Sequence, residues 1–317
     1  MINNNRAFYE EVVEGLSATP KYLFSKYFYD KRGDELFQKI MRCPEYYLTR
    51  CEEEIFSLQS HCIAEMIKKH LHNFEVVGLG AGDGTKSMYL LKEFYQQGLS
   101  DTYYPVDISD HVIQSLEKKI PRNIPGLRVK GFHGEYIEML KDIHEFSGKQ
   151  KMILFLGSNI GNYYPDRALH FCRLLRQYMP PGSLLLIGFD LKKHPQIILN
   201  AYNDRQGFTR DFNLNLLVRI NRELNGNFTV KSFDHYAMYD PVSGSCKSFL
   251  VSLKDQQVRI GSAFSVDFLK DEVIQMEVSQ KYHAADIDRM GEDAGFKILG
   301  KFYDSRKWFT DCLWQRE

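Results

Sequence analysis

The sequence predicts an α/β protein whose core is a doubly wound parallel sheet, with a second substructure inserted into it. Apolar, strand-like runs alternate with helix-like segments between residues 74 and 189, which is the rhythm of successive βαβ units. This rhythm is absent before residue 60 and changes after residue 190. It returns near residue 284, so the intervening segment is predicted to be the insertion.

The predicted elements follow one another closely along the chain. For the sheet, we expect strands at 74–79, 102–106, 127–132, 152–156 and 183–189 and helices at 84–97, 109–119, 134–145 and 165–179. For the insertion, we expect helices at 195–204 and 208–224 and strands at 228–240, 246–253, 256–260 and 271–280. A helix at 284–294 and a terminal hairpin of 296–303 with 308–314 then complete the sheet.

Composition and charge argue against several classes of protein. Hydrophobic residues make up 44% of the 317 residues, and 41 basic side chains balance 41 acidic ones, so a nucleic-acid partner is not expected. No segment has the apolar length of a signal peptide or a membrane span, which predicts a cytoplasmic protein without membrane association. The six cysteines are scattered without metal-ligand spacing, so free thiols and no metal are expected.

A glycine-rich segment after the first predicted strand is the strongest local signal of a ligand site. Residues 76–86 read VVGLGAGDGTK, and glycines allow the backbone to turn tightly and to approach a ligand closely. The spacing Gly80-x-Gly82-x-Gly84 differs from the G-x-G-x-x-G that seats a pyrophosphate on a helix N-terminus. A cofactor without phosphate is therefore favoured, although an ordinary βα turn explains the glycines equally well when they are considered alone.

An acid at the end of the next strand strengthens the cofactor interpretation. Residues 103–109 read YYPVDIS, and Asp107 stands where a carboxylate meets the hydroxyls of an adenosine ribose. The loop and the acid together predict a nucleoside cofactor, and their spacing makes S-adenosylmethionine the first candidate. A sheet closed by an antiparallel hairpin is also characteristic of methyltransferases that use this cofactor.

Short motifs distributed along nearly the whole chain resemble one family. They are YFYDKRGDELF at 27–37, PEYYLTR at 44–50, FLGSNIGN at 155–162, AYND at 201–204, FNLN at 212–215, NREL at 221–224 and EVSQKY at 277–282. In this order they are similar to the motifs of the histidine-specific Nα-methyltransferases of ergothioneine biosynthesis and of their fungal relatives, which methylate tryptophan-derived amino acids. The resemblance implies a Rossmann-like class I methyltransferase sheet with an inserted α+β substrate-binding domain.

The resemblance implies particular residues for each half of the site. For S-adenosylmethionine they are Gly80, Lys86, Asp107, Glu135 and Tyr136. For the amino acid, the resemblance implies that Tyr29 and Asn162 orient the reacting amine, and that the substrate is bound by Tyr46, Asn162, Tyr202, Glu277 and Ser279. Glu277 and Ser279 are implied to bind the imidazole, and their spacing on a strand puts both side chains on one face.

The implied domains each combine two segments of the chain. Residues 57–190 plus 282–317 are expected to bind S-adenosylmethionine, and residues 1–56 plus 191–281 are expected to bind the amino acid. No metal is expected. A free amino acid is the expected partner, and a monomer is the simplest expectation for the assembly.

The activity that the resemblance implies is Nα-methylation of free L-histidine, in three successive steps, to the betaine hercynine. Some positions depart from the family pattern. Gly78 stands where the family usually has an acid, and Glu135 stands where it usually has an aspartate. Residues 246–250 also lack a methionine that is common in histidine enzymes. Another aromatic amino acid, a tyrosine or tryptophan derivative, is therefore the alternative substrate. A non-catalytic protein that binds S-adenosylmethionine is a further alternative, which would need Gly80 and Asp107 but not Glu277.

Overall fold

The computed structural model describes residues 2–317, with side chains from Arg6 onwards. The helices are α1 (Ile2–Ser17), α2 (Lys31–Arg42), α3 (Tyr47–Lys68), α4 (Thr85–Gln96), α5 (Asp110–Asn123), α6 (Tyr136–Phe146), α7 (Pro165–Tyr178), α8 (Pro195–Ala201), α9 (Phe208–Leu224) and α10 (Ala284–Asp293). Short 3₁₀ turns occupy Ser25–Phe28, Asn159–Asn162 and Val230–Ser232.

The strands are more numerous than the sequence predicts. They are β1 (Lys21–Tyr22), β2 (Glu75–Leu79), β3 (Thr102–Asp107), β4 (Arg128–Val129), β5 (Phe132–His133), β6 (Lys151–Phe155), β7 (Leu184–Asp190), β8 (Phe233–Asp240), β9 (Ser245–Ser252), β10 (Gln256–Ile260), β11 (Phe264–Phe268), β12 (Val273–Gln280), β13 (Phe296–Tyr303) and β14 (Phe309–Arg316).

The chain divides into two compact units, each made of two segments. Leu48–Lys192 and Gln280–Glu317 form the eight-stranded unit, and Met1–Tyr47 and Lys193–Ser279 form the four-stranded unit. The first division falls at residue 47, nine residues before the predicted boundary at 56, because α3 continues unbroken from Tyr47 to Lys68. The functional roles of the two units remain predictions.

The eight-stranded unit contains the predicted parallel sheet. Its strand order is β13-β14-β7-β6-β2-β3-β4, with β5 also beside β3. Strands β2, β3, β6 and β7 run parallel, whereas β14 is antiparallel to both β7 and β13. This is the Rossmann-like arrangement, and the predicted closure by an antiparallel hairpin is confirmed.

The central strands are buried along their whole length because helices cover both faces of the sheet. Every residue of β2, β6 and β7 is buried, which explains why these strands read as continuous apolar runs. Two charged residues begin the strands β2 and β6, and they pair with each other: Lys151 Nζ donates to Glu75 Oε2 at 2.5 Å. The pair lies at the edge of the sheet opposite to the strand ends that carry the glycine loop.

The four-stranded unit is built on a sheet of order β1-β12-β9-β8 and a separate hairpin of β10 and β11. Burial alternates along β12, where Ile274 and Met276 enter a core that also contains Phe212 and Leu216 of α9. Residues two apart share a face, so Glu277 and Ser279 lie on the face opposite to that core. The sequence-predicted position of these two side chains on one face is confirmed by the strand.

Three parts of the fold differ from the sequence prediction. The strand expected at 127–132 is broken into β4 and β5, because the Gly131 N–H donates to the Glu117 carboxylate at 2.8 Å instead of to the sheet. Strand β11 was not expected. The helices α1, α2 and α3 occupy the region before residue 60 in which no βαβ rhythm is present.

Candidate active site

The glycine loop follows β2 and turns through left-handed backbone at Gly80, Gly82 and Gly84, with φ values of 68°, 53° and 71°. The N–H groups of Gly80 and Ala81 both donate to the Val106 carbonyl, at 2.9 and 3.1 Å, which ties the loop to the neighbouring strand β3. Gly84 then precedes α4, which begins at Thr85. The loop is therefore held at the carboxyl ends of the parallel strands, where α/β sheets bind ligands.

Asp107, at the end of β3, is joined to this loop as the sequence predicts. Its Oδ2 accepts the Gly82 N–H at 3.1 Å, and its Oδ1 accepts the Ser109 N–H at 3.0 Å. Burial raises the pKa of the Asp107 carboxyl, and hydrogen bonds from Ser109 and Gly82 oppose that increase. A carboxylate has about four acceptor sites, so Asp107 retains capacity to accept a hydrogen bond from a ribose hydroxyl.

Two further side chains approach the loop so closely that only glycine fits at position 80. A Cβ atom there would lie 2.5 Å from Asn159 Nδ2 and 2.8 Å from the Tyr136 hydroxyl oxygen. The Tyr136 ring is fixed by edge contacts with Phe155 and Phe171, at centroid distances of 5.5 and 6.2 Å. The loop, Asp107 and Tyr136 therefore form a cradle at the carboxyl ends of the strands.

Lys86 and Glu135 lie beside this cradle in different environments. Lys86 is on the first turn of α4, and its Nζ donates to Glu52 Oε2. Its ammonium also lies 3.4 Å from where a Cβ of Gly157 would be. Glu135 is exposed at the start of α6, and burial, followed by the Glu135 charge, raises the pKa of Tyr163 to about 12.

Asn162 belongs to the eight-stranded unit, at the end of the 3₁₀ turn that follows β6. The turn is packed tightly at Gly161, where a Cβ would lie 3.0 Å from the Gln280 carbonyl oxygen. Asn162 itself is exposed. Its side chain is thus carried on a rigid turn next to the strand ends while remaining accessible.

The remaining predicted residues lie in the four-stranded unit, and the three tyrosines among them belong to one aromatic cluster. Tyr46 meets Tyr202 with ring centroids 6.3 Å apart. Phe37 joins Tyr46 to Tyr29, at centroid distances of 6.3 and 5.7 Å, and Tyr29 also contacts Phe212. The structure therefore brings together the three predicted tyrosines through two phenylalanines that the sequence analysis did not single out.

A hydroxyl pair connects this cluster to β12. The Tyr202 Oη and Ser279 Oγ atoms share a hydrogen bond of 2.6 Å, and both residues are buried. Glu277 precedes Ser279 by two residues and is only half-buried. A carboxylate and a hydroxyl on one strand face, bordered by aromatic rings, can recognise a ring that offers both a donor and an acceptor.

The sequence of this chain is similar to a known protein family over nearly its whole length. Residues 8–316 match the family described as histidine-specific methyltransferase, SAM-dependent. The chain belongs to this family. It is an S-adenosylmethionine-dependent methyltransferase, and the resemblance predicted from the sequence motifs is confirmed.

Individual relatives of this methyltransferase come from bacteria and fungi. A histidine N-alpha-methyltransferase of Mycobacterium tuberculosis is 34% identical over 306 residues, covering 96% of this chain and 91% of the relative. Ergothioneine biosynthesis protein 1 of Schizosaccharomyces pombe is 27% identical and covers 86% of this chain and 36% of the relative. An L-tryptophan methyltransferase of Psilocybe serbica is 26% identical, and the match covers 95% of this chain and 90% of the relative.

Further observations concern metals, membranes and cysteines of the methyltransferase. Within residues 2–317, no group of three acidic, histidine or cysteine side chains is arranged to hold a metal ion. No helix in this described part of the chain is long and apolar enough to cross a membrane. All six cysteines are free thiols, as the sequence predicts.

Two residues near the cradle were not predicted. Asn159 lies in the motif at 155–162, which is a signal in the sequence, but within that motif only Asn162 is among the predicted site residues. Glu52 gave no signal, because Glu52-Glu53-Glu54 reads as a solvated helix face. In the structure Glu52 is fully buried.

Proposed function

We propose that this methyltransferase transfers methyl groups from S-adenosylmethionine to the α-amino group of free L-histidine, in successive steps that give the trimethylated betaine. The observation that carries the proposal is the Tyr202–Ser279 hydroxyl pair beside Glu277 on β12. Neutral imidazole has one N–H donor and one nitrogen acceptor. Glu277 is proposed to accept the N–H, and the Ser279 hydroxyl is proposed to donate to the other nitrogen.

The cofactor would be held by the cradle of the eight-stranded unit. Asp107 would accept hydrogen bonds from the ribose hydroxyls, and Gly80 and Tyr136 would border the adenosine with Glu135 beside them. Lys86 would face the anionic carboxylate. When bound, S-adenosylmethionine supplies a methyl group activated by its sulfonium. The chemistry of the donor set matches a cofactor without phosphate.

The protein's own contribution is to position the neutral amine. Methyl transfer breaks the S–CH₃ bond and forms the N–CH₃ bond in line, so alignment supplies much of the acceleration. A free α-amino group has a pKa of roughly 8, so keeping it neutral near pH 7 costs about 1–2 kcal/mol. The Asn162 carboxamide and the Tyr29 hydroxyl are proposed to orient its lone pair, and the proton leaves to solvent.

The proposal is tested by product analysis. The purified chain is incubated with methyl-labelled S-adenosylmethionine and, separately, with histidine, tyrosine, tryptophan and 4-substituted tryptophans, and the products are identified by mass spectrometry. Histidine is expected to gain up to three methyl groups, whereas the other amino acids gain none. Methylation of tryptophan or tyrosine without methylation of histidine would replace the proposal with the aromatic alternative, and cofactor binding without any product would favour a non-catalytic protein.

A substitution tests the imidazole assignment. Because Glu277→Gln removes the charge that accepts the N–H, we expect the KM for histidine to rise on the order of tenfold or more, with a smaller change in kcat. Glu272→Gln is the matched control, since Glu272 precedes the same strand and pairs with Lys21. An unchanged KM in the Glu277 variant would contradict the assignment.

A further inference from the structure

A pair of buried acids lies close to Lys86 and has no role in the chemistry proposed above. Glu52 is carried by α3 and Asp311 by β14, and both side chains have no exposed surface. Burying two carboxyl groups is costly unless each is paired or neutral. The pair therefore needs an explanation from its contacts.

Both oxygens of Glu52 are used. Its Oε2 accepts from Lys86 Nζ, and its Oε1 accepts the Gly157 N–H at 2.7 Å. Space for the carboxylate comes from Gly188 on β7, where a Cβ atom would lie 2.6 Å from Glu52 Oε1. A glycine inside a buried strand commonly marks such a close approach. The Glu52 side chain is thus fixed between a lysine and a backbone donor.

Asp311 is placed directly beside this acid but is not paired in the same way. Its sheet partners are Gly188 and Phe302, which carry no charge. No N–H or hydroxyl group in the described part of the chain donates to either Oδ atom, and the Glu52 carboxyl is the hydrogen-bonding neighbour of Asp311. Burial and then the Glu52 charge raise the pKa of Asp311 well above its usual value, and Lys86 opposes this. Its buried position beside Glu52 thus favours the neutral form of the Asp311 carboxyl.

Lys86 is the member of this group that reaches the surface. Its side chain is 23% exposed, whereas Glu52 is fully buried. An ammonium has three N–H donors, so one is directed at Glu52 while others remain for a ligand. Lys86 lies beside Gly157, which is two residues before Asn159. Asn159 in turn borders Gly80 of the cradle. The ammonium is consequently held next to the proposed cofactor site.

We propose that Glu52 is a positioning residue, which orients the Lys86 ammonium toward the carboxylate of the methyl donor. The proposal rests on the proposed function, because it assumes that S-adenosylmethionine binds in the cradle. The carboxylate is the only anionic group of that cofactor. Glu52 acts on it solely through Lys86.

A pair of ligands separates positioning from folding. S-Adenosylhomocysteine carries the amino-acid carboxylate, and 5′-methylthioadenosine has the same nucleoside without it. Their affinities for the unsubstituted chain and for Glu52→Gln are measured by calorimetry. We expect Glu52→Gln to lower the affinity for S-adenosylhomocysteine on the order of tenfold, because a charge-assisted hydrogen bond is lost. The affinity for 5′-methylthioadenosine should be unchanged.

Further variants locate the effect. Lys86→Met is expected to cause the same selective loss of S-adenosylhomocysteine affinity. The double variant of Glu52 and Lys86 is expected to lose no more affinity than either single variant. Glu75→Gln is the matched control, because Glu75 also pairs with a buried lysine, Lys151, but at the opposite edge of the sheet. It is expected to lower stability without changing the ratio of the two affinities.

Asp311→Asn tests whether the second buried acid also positions Lys86. Because Lys86 Nζ donates to Glu52 and not to Asp311, we expect S-adenosylhomocysteine affinity to stay within about twofold. A raised pKa in the folded state means that Asp311 stabilises the fold below the usual carboxyl pKa and loses this contribution as the pH rises through the raised value. The unfolding free energy of Asp311→Asn should therefore improve relative to the parent as the pH increases from 4 toward neutrality.

The outcomes are distinguishable. If the unsubstituted chain binds neither ligand, the proposed function fails. If it binds both and Glu52→Gln weakens them equally or not at all, the positioning role alone is overturned. Should Glu52→Gln not fold, Glu52→Asp, which retains the charge but withdraws it from Lys86, must show the same selective loss. A tenfold loss of affinity in Asp311→Asn would overturn the assignment of the positioning role to Glu52 alone.

Discussion

Gly80 and Gly98 share a left-handed backbone but differ in their surroundings. Their φ values are 68° and 65°. A Cβ on Gly98 would meet no atom within 4 Å, whereas one on Gly80 would contact Asn159 and Tyr136. Position 80 thus requires glycine both for its conformation and for the space beside the cradle.

Alanine at the two positions separates these requirements. Both Gly80→Ala and Gly98→Ala should lower the free energy of unfolding by about 1–2 kcal/mol, since each places a side chain at positive φ. Only Gly80→Ala should also lower the affinity for S-adenosylhomocysteine, by at least about tenfold, because Tyr136 and Asn159 must move. Urea unfolding and calorimetry measure the two effects. Equal affinities of the two variants would contradict the cradle.

Helix α9 depends on an acid that lies outside it. Asp204 is buried, and its two carboxylate oxygens accept the N–H groups of Phe208 and Thr209, at 2.9 and 2.8 Å. Burial by itself would raise the pKa of Asp204, but hydrogen bonds from Thr209 and Phe208 lower it below the usual value. These N–H groups belong to the first turn of the helix, which has no acceptors of its own. Asp204 therefore fixes the start of the helix that supports Phe212.

Asp204→Ala should lower the free energy of unfolding by about 1–2 kcal/mol near pH 7, as expected for a lost helix cap. Because the folded pKa is lowered, this stabilisation is present above the usual carboxyl pKa and is lost as the pH falls through the lower folded value. The difference between parent and variant should shrink accordingly in urea unfolding below pH 4. Asp211→Ala, an exposed acid in the same first turn, should change stability by less than about 0.5 kcal/mol at any pH.

The sequence was sufficient for elements with a strong local pattern. Strand β2 and the glycine loop were predictable because an all-apolar run followed by glycines has few other interpretations. The break at Gly131 was not, because it depends on the Glu117 side chain from another element. Helices α1 and α2 escaped notice since their sequences lack the βαβ context that guided the assignment.

The candidate site was predictable to a similar extent. Asp107 could be predicted as a site residue from its position at the end of a predicted strand. Tyr29, Tyr202 and Ser279 were identified only through the family resemblance. Spacing in the sequence could not reveal that Tyr202 and Ser279 share a hydrogen bond, because they are 77 positions apart. Nor could it show that Glu52 is buried, since burial of a helix acid depends on Gly188 in a distant strand.

In the molecule as a whole, the eight-stranded unit joins two segments that are far apart in sequence. Asp190 and Lys281 form a fully buried ion pair of 2.7 Å between these segments. The adjacent backbone reinforces it: the Tyr282 N–H donates to the Asp190 carbonyl at 3.1 Å, and the Lys192 N–H donates to the Tyr282 carbonyl at 2.9 Å. Charge and backbone together fasten the segment after β12 to the end of β7.

Asp190→Asn leaves the buried Lys281 without its counter-charge. We expect the free energy of unfolding to fall by about 3–5 kcal/mol, as for other buried pairs from which one partner is removed. Asp101→Asn, which breaks the exposed pair with Arg128, should cost less than about 1 kcal/mol. Chemical unfolding of both variants provides the comparison. A loss below 1 kcal/mol for Asp190→Asn would show that the backbone bonds are sufficient.

The position of β14 affects the order in which a newly made chain can fold. This strand lies between β7 and β13, yet residues 184–190 of β7 leave the ribosome long before residues 309–316 do. At ~5–20 residues per second, the delay is on the order of ten seconds. During that interval β7, which is buried throughout in the finished sheet, has an open edge that can pair with other chains. Expression at lower temperature or with a chaperone that shields strand edges should therefore raise the soluble yield.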